Sequence, residues 1–434
     1  MILFYSEKLT PRIRYISRLM LEELLGLSLR FTNDKEEYLQ SKIPKINYSR
    51  EPIQSGIYIQ AANLLFETDI FEQDFKSSNF EGYPVFFLSN KKSHLPFDPF
   101  AASFYLVSRY EEYIPFIADE HNRFPAEESV LFKLKSLDKP LVNIYARQLG
   151  KVIKDANPKI NFKYPEYRFI NTIDIDNASA YLGKGILRTL ASYVRDLLRF
   201  EFSEIWQRSR TIFGLQRDPF ETLPYLLNLQ EKHGFKSIYF VLFSRLSQYD
   251  RNLTRYSTRL QHYVKDIADY CEVGVHPSYR SNHEIKVLEE ELLSLERVIK
   301  KDVTKSRQHF LILNFPITYR RLLELEIEDD YSMGYSDRPG FRAGICTSFR
   351  FYDLEQEIET PLRVHPFPFM DGAFMYGLKI GPEESWPIIQ EYIKIYREFG
   401  GEFIPLWHNR IFSEKEEEWK GWNQIYERML KAAI

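Results

Sequence analysis

Cysteine is nearly absent from this chain. Its two cysteines, Cys271 and Cys346, sit in apolar or strand-like surroundings, which excludes a disulfide framework and a cysteine-rich zinc site. No apolar run approaches the ~18 residues of a membrane-spanning helix, so membrane insertion is not expected. The first residues, MILFYSEKLTPRIR, put a short apolar stretch ahead of Lys8, Arg12 and Arg14. A secretory leader has its charge first and a longer apolar core after it, and a cytoplasmic location is the expectation. Charge of one sign is also missing. The 58 Lys and Arg against 61 Asp and Glu leave a net charge of -3, which gives no reason to expect nucleic acid or an acidic membrane as partner. There is no Gly-x-Gly-x-x-Gly, no P-loop and no Gly-x-Ser-x-Gly elbow, so nucleotide binding and serine-hydrolase chemistry have no support. Internal repeats and low-complexity tracts are absent too.

Aromatics are plentiful: 34 Phe and 29 Tyr bring the aromatic share to 16%. Such side chains stack on sugar rings and fit a glycan-binding surface; they equally serve large cores. At 434 residues, two domains are the default expectation. Residues 1–165 are expected to form a small α/β domain. It opens with a strand (ILFYS), a helix from Pro11 to Leu25 and a second strand around LSLRFTND, followed by hairpin-like pieces and the helical patterns PFAASFYLVSRYEEYIP and KPLVNIYARQLGKVIKD. Asp98, Arg109, Glu111 and Glu112 in this unit fit a structural ion-pair cluster or a docking contact. The polar, proline-bearing NPKINFKYPEYR is the expected linker.

From residue 166 to 434 the pattern alternates. Strand-like runs (YRFINTIDI, KSIYFVLFS, CEVGVH, QHFL, DYSMGY, RAGICTSF, LRVHPFPFM, EFIPLWHN) are interleaved with helix-like ones such as HEIKVLEEELLSLERVIKK and SWPIIQEYIKIYREFG. That alternation predicts a parallel sheet with helices outside it. The expected fold is α/β, a distorted (β/α) barrel of about seven strands, in which reactive residues collect at the C-terminal ends of strands.

The strand runs do end in such residues: Asp174 with Asp176, His276, Arg307 with His309, the DYSMGYSDRPGFR segment, Asp371 and His408. On a strand, residues two apart share a face. Asp174 and Asp176 therefore lie side by side and repel unless a cation, a shared proton or basic residues hold them together.

In order and spacing, TIDIDNA, GVHPSYRS, SRQHFL, DDYSMGYSDRPGFRAG and LWHN resemble the motifs of the polysaccharide deacetylase family, the NodB-homology domain of carbohydrate esterase family four. The resemblance spans roughly residues 166–410. It looks like a bacterial sub-group with an uncharacterised N-terminal domain. It implies a divalent metal, zinc by preference, and hydrolysis of the amide C–N bond of an N-acetylated sugar or glycan intermediate, the carbohydrate being the expected partner.

Under that resemblance Asp174 is the general base, and Asp176 and His276 are metal ligands. Arg307 orients the catalytic Asp through a bidentate pair, and His408 protonates the leaving amine. The match is incomplete. The family has adjacent aspartates, whereas Ile175 separates these two, and its second His four residues after the first is Arg280 here. Two openings remain. His309 supplies the third ligand, or Arg280 replaces the metal and holds the carboxylates electrostatically. Tyr279, Arg280, Arg342 and Asp371 are the candidate orienting or substrate-binding residues, and His365 is a weaker ligand candidate than His309. Asn409 is a candidate for fixing the His408 ring, although strand alternation points it away. The competing readings are a catalytically silent glycan-binding protein on the same barrel, or a metal-free barrel lyase or isomerase.

Overall fold

The computed structural model describes residues 1–434, and its strands fall mainly into two sheets. β1 (Ile2–Tyr5), β2 (Leu29–Thr32), β3 (Lys45–Ser49) and β4 (Ile57–Gln60) form a parallel sheet in the order β2-β1-β3-β4. Beside it pack the helices Pro11–Ser17, Pro99–Val107 and Leu141–Ala156. Two of these begin with side-chain caps: Thr10 accepts from the Ile13 amide, and Asp98 accepts from the Phe100 and Ala101 amides, each with proline just inside the helix. Asp98 is thus a cap, not a member of an ion-pair cluster. The helix expected to run to Leu25 is α-helical only to Ser17, then widens into π-type turns over Arg18–Glu23. A hairpin of β5 (Ser77–Phe80) and β6 (Tyr83–Phe86) completes this part.

β7 (Tyr167–Phe169) pairs only with β15 (Gly401–Phe403). The second sheet is built from β8 (Asn171–Ile175), β9 (Ser237–Val241), β10 (Glu272–Val275), β11 (Lys305–Ser306), β12 (Asp329–Asp330), β13 (Phe349–Asp353), β14 (Ile358–Val364) and β16 (Leu406–His408). Its order is β13-β14-β12-β11-β10-β9-β8-β16, and every pairing except β13–β14 is parallel. Side chains alternate across it. Ile238, Phe240, Tyr331, Phe367, Ile404 and Leu406 form an apolar cluster of their own within the curved sheet. Ile173, Ile175, Tyr239, Val241 and Trp407 belong to the larger core shared with the helices and with the first sheet. Gly274 permits this inner packing, since a Cβ there would lie 2.6 Å from the Phe240 ring.

The architecture is mixed α/β, and its ladder is open: eight strands rather than a closed ring of about seven. Segment 365–370 spans the seam. Phe367 N donates to Met333 O at 3.1 Å, Leu406 N donates to Phe369 O at 3.1 Å, and Met370 bridges Leu406. Pro366 and Pro368 remove alternate N–H donors, so this stretch cannot form a regular ladder.

The expected strand RAGICTSF is also absent. Its backbone groups are taken by the N-terminal part of the chain: Val142 N donates to Gly344 O at 2.9 Å, and Cys346 N donates to Asn143 Oδ1 at 3.1 Å. The neighbouring hairpin β13–β14 supplies the strand that periodicity did not reveal. No helix is long and apolar enough to cross a membrane.

Candidate active site

Past the C-terminal ends of β8, β10, β11 and β16 opens a cavity of about 170 Å³. Asp174 and Asp176 enter it from β8, His276 from just beyond β10, His309 from beyond β11, and His408 from the end of β16. Asp174 stands in register with Phe240 on one side and His408 on the other.

Arg307 is fully buried beneath these groups. Its Nη1 donates to Asp174 Oδ1 and to Thr172 Oγ1, both at 2.9 Å, and its Nε donates to Tyr331 O at 3.0 Å. The guanidinium also sits 4.5 Å over the Phe240 ring. The contact to Asp174 is single, not bidentate: Nη1 divides between Asp174 and Thr172, Nε goes to Tyr331, and Nη2 has no hydrogen-bond partner. Asp174 Oδ2 is left toward the cavity side, 3.8 Å from His276 Nε2.

The two histidines are oriented in the same way. His276 Nδ1 lies 2.5 Å from Arg307 O, which can only accept, so Nδ1 carries the proton and Nε2 presents a lone pair. That Nε2 is 3.4 Å from Asp176 Oδ1. His309 Nδ1 lies 3.0 Å from Asp250 Oδ1, and its Nε2 is 3.8 Å from the same Asp176 oxygen. Asp176 Oδ1 is buried and has no hydrogen-bond partner.

Asp176, His276 and His309 thus offer one ligand atom each, all within 4.8 Å of one another. A carboxylate and two imidazoles with acceptors fixing their far nitrogens are the donor set and the outer support of a divalent transition-metal site. Burial alone would raise the Asp176 pKa. The positive charges beside it, that of His408 first and that of Arg410 with it, outweigh burial and hold the carboxyl well below its usual value.

His408 is fixed by Asp371: Nδ1 lies 2.7 Å from Oδ1, and the His408 backbone N–H donates to Oδ2 at 2.7 Å. Its Nε2 faces Asp176 Oδ2 at 3.5 Å. Burial opposes the charge on this ring, but Asp371 and Asp176 prevail and push its pKa up to about 9.

Five sequence candidates are not brought to the cavity. Arg280 is 60% exposed and pairs with Glu284 one helical turn on, at 3.1 Å, so it does not replace a ligand. Tyr279 stacks on Tyr249, with ring centroids 4.2 Å apart, and contributes its backbone N–H to Asp250. Arg342 is buried against Glu112, with Nε–Oε1 at 3.0 Å and Nη2–Oε2 at 2.6 Å, and its carbonyl accepts from Arg109. It ties residues 109–112 to the second half of the chain. His365 lies off the cavity, between Asp329 and Glu402. Asn409 points away from His408, donating to Asn177 O at 2.9 Å.

The sequence reading passed over other residues at the site. Asp250 lies in the loop after β9; extending the strand-end rule into that loop would have found it. Arg410 comes within 3.9 Å of Asp176. Tyr376 and Trp419 give the cavity an aromatic wall, and Arg123, from the N-terminal part, lines it while donating to Phe310 O at 2.8 Å.

A family model described as a family of unknown function (DUF7033) matches residues 2–158. No curated protein matches the chain. Among solved structures, a putative polysaccharide deacetylase from Mycobacterium smegmatis aligns at 16% identity over 62% of this chain and 85% of its own, with a TM-score of 0.38. A probable polysaccharide deacetylase from Pseudomonas aeruginosa PAO1 aligns at 12% identity, 61% and 83% coverage and a TM-score of 0.37. Puue allantoinase aligns at 11% identity, 61% and 83% coverage and a TM-score of 0.39. At these identities and TM-scores none of the three bears on activity or substrate.

Proposed function

We propose that the chain is a metal-dependent hydrolase that cleaves the amide C–N bond of an N-acetylated sugar. The observation that carries this reading is the pairing of a three-ligand cluster, Asp176, His276 and His309, with two separately anchored proton-transfer groups: Asp174 on Arg307 and His408 on Asp371. A divalent ion, zinc by the nitrogen and oxygen donor set, would be held by the three ligands, where it supplies Lewis-acid polarisation of the acyl carbonyl.

The chain's own residues do the rest. Asp174 Oδ2, the oxygen Arg307 does not hold, takes a proton from the water that adds to the acyl carbon. Arg307 fixes the carboxylate in place. His408 Nε2, charged at neutral pH, gives its proton to the nitrogen as the C–N bond breaks, so an acetate and a free amine depart. Tyr376 and Trp419 offer the apolar faces on which a sugar ring stacks. Residues 1–165 act in this reading as a module that buttresses the barrel-like half and lends Arg123 to the cleft, with residues 166–434 forming the catalytic domain.

The test is acetate release from N-acetylated amino-sugar oligomers by the metal-loaded protein, wild type beside Asp174→Asn. The expected result is turnover in the wild type and a loss of roughly 10²–10⁴-fold in the variant. Sugar binding with no acetate release from any N-acetylated sugar would replace the hydrolase by a glycan-binding protein.

A further inference from the structure

The helices Ile186–Leu198 and Phe202–Ile212 form a hairpin turned inside out. On the first, the one buried side chain is an aspartate, Asp196; on the second they are Arg208 and Thr211. The apolar residues face outward instead. Leu187 is 83% exposed, Phe213 77% and Leu198 74%, with Leu190, Val194, Phe202 and Trp206 exposed alongside them. Exposed apolar side chains grouped on one hairpin mark an interaction surface.

Under the polar side of this hairpin lies a second cavity, of about 610 Å³. Lys184, Arg188, Arg208, Arg251 and Arg410 line it, and Glu204 is the one acid in its wall. Lys415 neutralises Glu204 at 2.7 Å, and Asp196 is shared by Arg195 and Arg208. No carboxylate lies within ion-pair distance of Lys184, Arg188 or Arg251. Arg208 is 4% exposed, and its Nε has no hydrogen-bond partner. Burial and the crowding of Arg188, Arg208 and Arg195 bring the Lys184 ammonium down to about 8. The surplus of positive charge in its wall suits an anion. Arg410 lines both this cavity and the candidate active site.

We propose that this cationic cavity binds the phosphate group of a lipid-anchored ligand while the apolar face of the hairpin lies on the lipid surface. The occupant follows from the join of the two features: an amphipathic hairpin whose apolar face is rimmed by unpaired Lys and Arg matches a bilayer bearing anionic head groups. The chain's net charge of -3 hides this local concentration, which is why composition pointed away from an acidic membrane. Lying in the interface also agrees with helices too short to span. That the lipid-anchored ligand is the substrate, its sugar in the first cavity and its phosphate in the second, rests on the hydrolase reading. That the cavity takes a lipid phosphate does not.

The test is flotation of the full chain with vesicles of phosphatidylcholine alone and of phosphatidylcholine containing phosphatidic acid, with and without inorganic pyrophosphate. Three proteins are compared: wild type, the double variant Lys184→Glu/Arg188→Glu, and the double variant Leu187→Asp/Leu198→Asp, each with its melting temperature and oligomeric state measured. The expected result is at least roughly tenfold more wild-type binding to the phosphatidic acid vesicles. Both variants lose that binding without loss of thermal stability, and pyrophosphate competes. Four results would overturn the proposal: no vesicle binding; binding that survives Lys184→Glu/Arg188→Glu; pyrophosphate binding in solution with no vesicle binding, which makes the cavity a free-anion site; or a wild-type dimer that Leu187→Asp/Leu198→Asp converts to monomer with no vesicle binding, which makes a second copy of the chain the occupant of the face. None of these readouts needs turnover, so failure here and failure of the hydrolase reading are distinguishable.

Discussion

His309 Nδ1 meets Asp250 Oδ1 at 3.0 Å, and this one contact turns His309 Nε2 toward Asp176. The loop carboxylate is itself fixed by Ser247 Oγ at 2.6 Å and by the Tyr279 amide at 2.8 Å, and these bonds help keep it ionised. A histidine held in this way offers its Nε2 in a set direction. The same logic places Arg307 O behind His276. Asp174 on β8 and Asp176 just past its end coexist because Arg307 takes the first and the histidine cluster takes the second.

Asp250→Ala is therefore expected to weaken metal affinity by about 10–100-fold while leaving the three ligands in place. Competition against a chromophoric chelator measures it. Unchanged affinity would remove Asp250 from the supporting shell.

Asp371 holds His408 by both its ring and its backbone. Asp371→Ala is expected to lower kcat by about 10²-fold, with KM and metal content close to wild type, because the ring loses its orientation and its charge partner while the metal cluster is untouched. Steady-state kinetics beside elemental analysis separates this outcome from a collapse of the site, in which metal would go too.

His365 makes a pH-dependent clamp. Its ring nitrogens lie 2.8 Å from Asp329 and 2.7 Å from Glu402, and the ring stacks on Tyr331 at 4.4 Å. Burial alone would lower its pKa, but the two carboxylates outweigh that and raise it above 6.5, while Asp329 and Glu402 are held below their usual values. A group whose folded pKa is raised stabilises in full below its unfolded value and loses that contribution as pH rises through the folded one. The carboxylates add the opposite limb, lost toward acid. Denaturant unfolding of wild type and His365→Gln should differ by about 3 kcal/mol near pH 6, with the gap narrowing at alkaline pH. A gap that widens with pH would contradict the clamp.

The site was largely legible in the sequence because a strand's period of two and its apolar end are local properties. Asp174, Asp176, His276, Asp371 and His408 close apolar runs, whereas Arg307 and His309 follow the polar Thr304-Lys305-Ser306 and were placed by motif order. Part of what failed was governed by contacts distant in the chain. Arg342 looked like a groove residue, but its partner Glu112 lies 230 positions away. Arg280 was placed by motif spacing, and Glu284 on the next turn takes it into solvent. The ladder stretches β11 and β12 are two residues each, too short for periodicity to mark. Past β11 the chain turns sharply, Phe310 adopting φ 60°, so His309 reaches the site from a turn and not from a strand end. The inverted hairpin was not legible, since a sequence does not say which face of a helix turns inward.

The metal centre is the central claim, and elemental analysis of purified protein tests it most directly, wild type beside His276→Ala and Asp176→Asn after incubation with zinc and removal of excess. The expected result is about one zinc per wild-type chain and a large loss in both variants at unchanged melting behaviour of the apo forms. A wild type that retains no divalent ion, or variants that retain it fully, would contradict the assignment of Asp176, His276 and His309 as ligands.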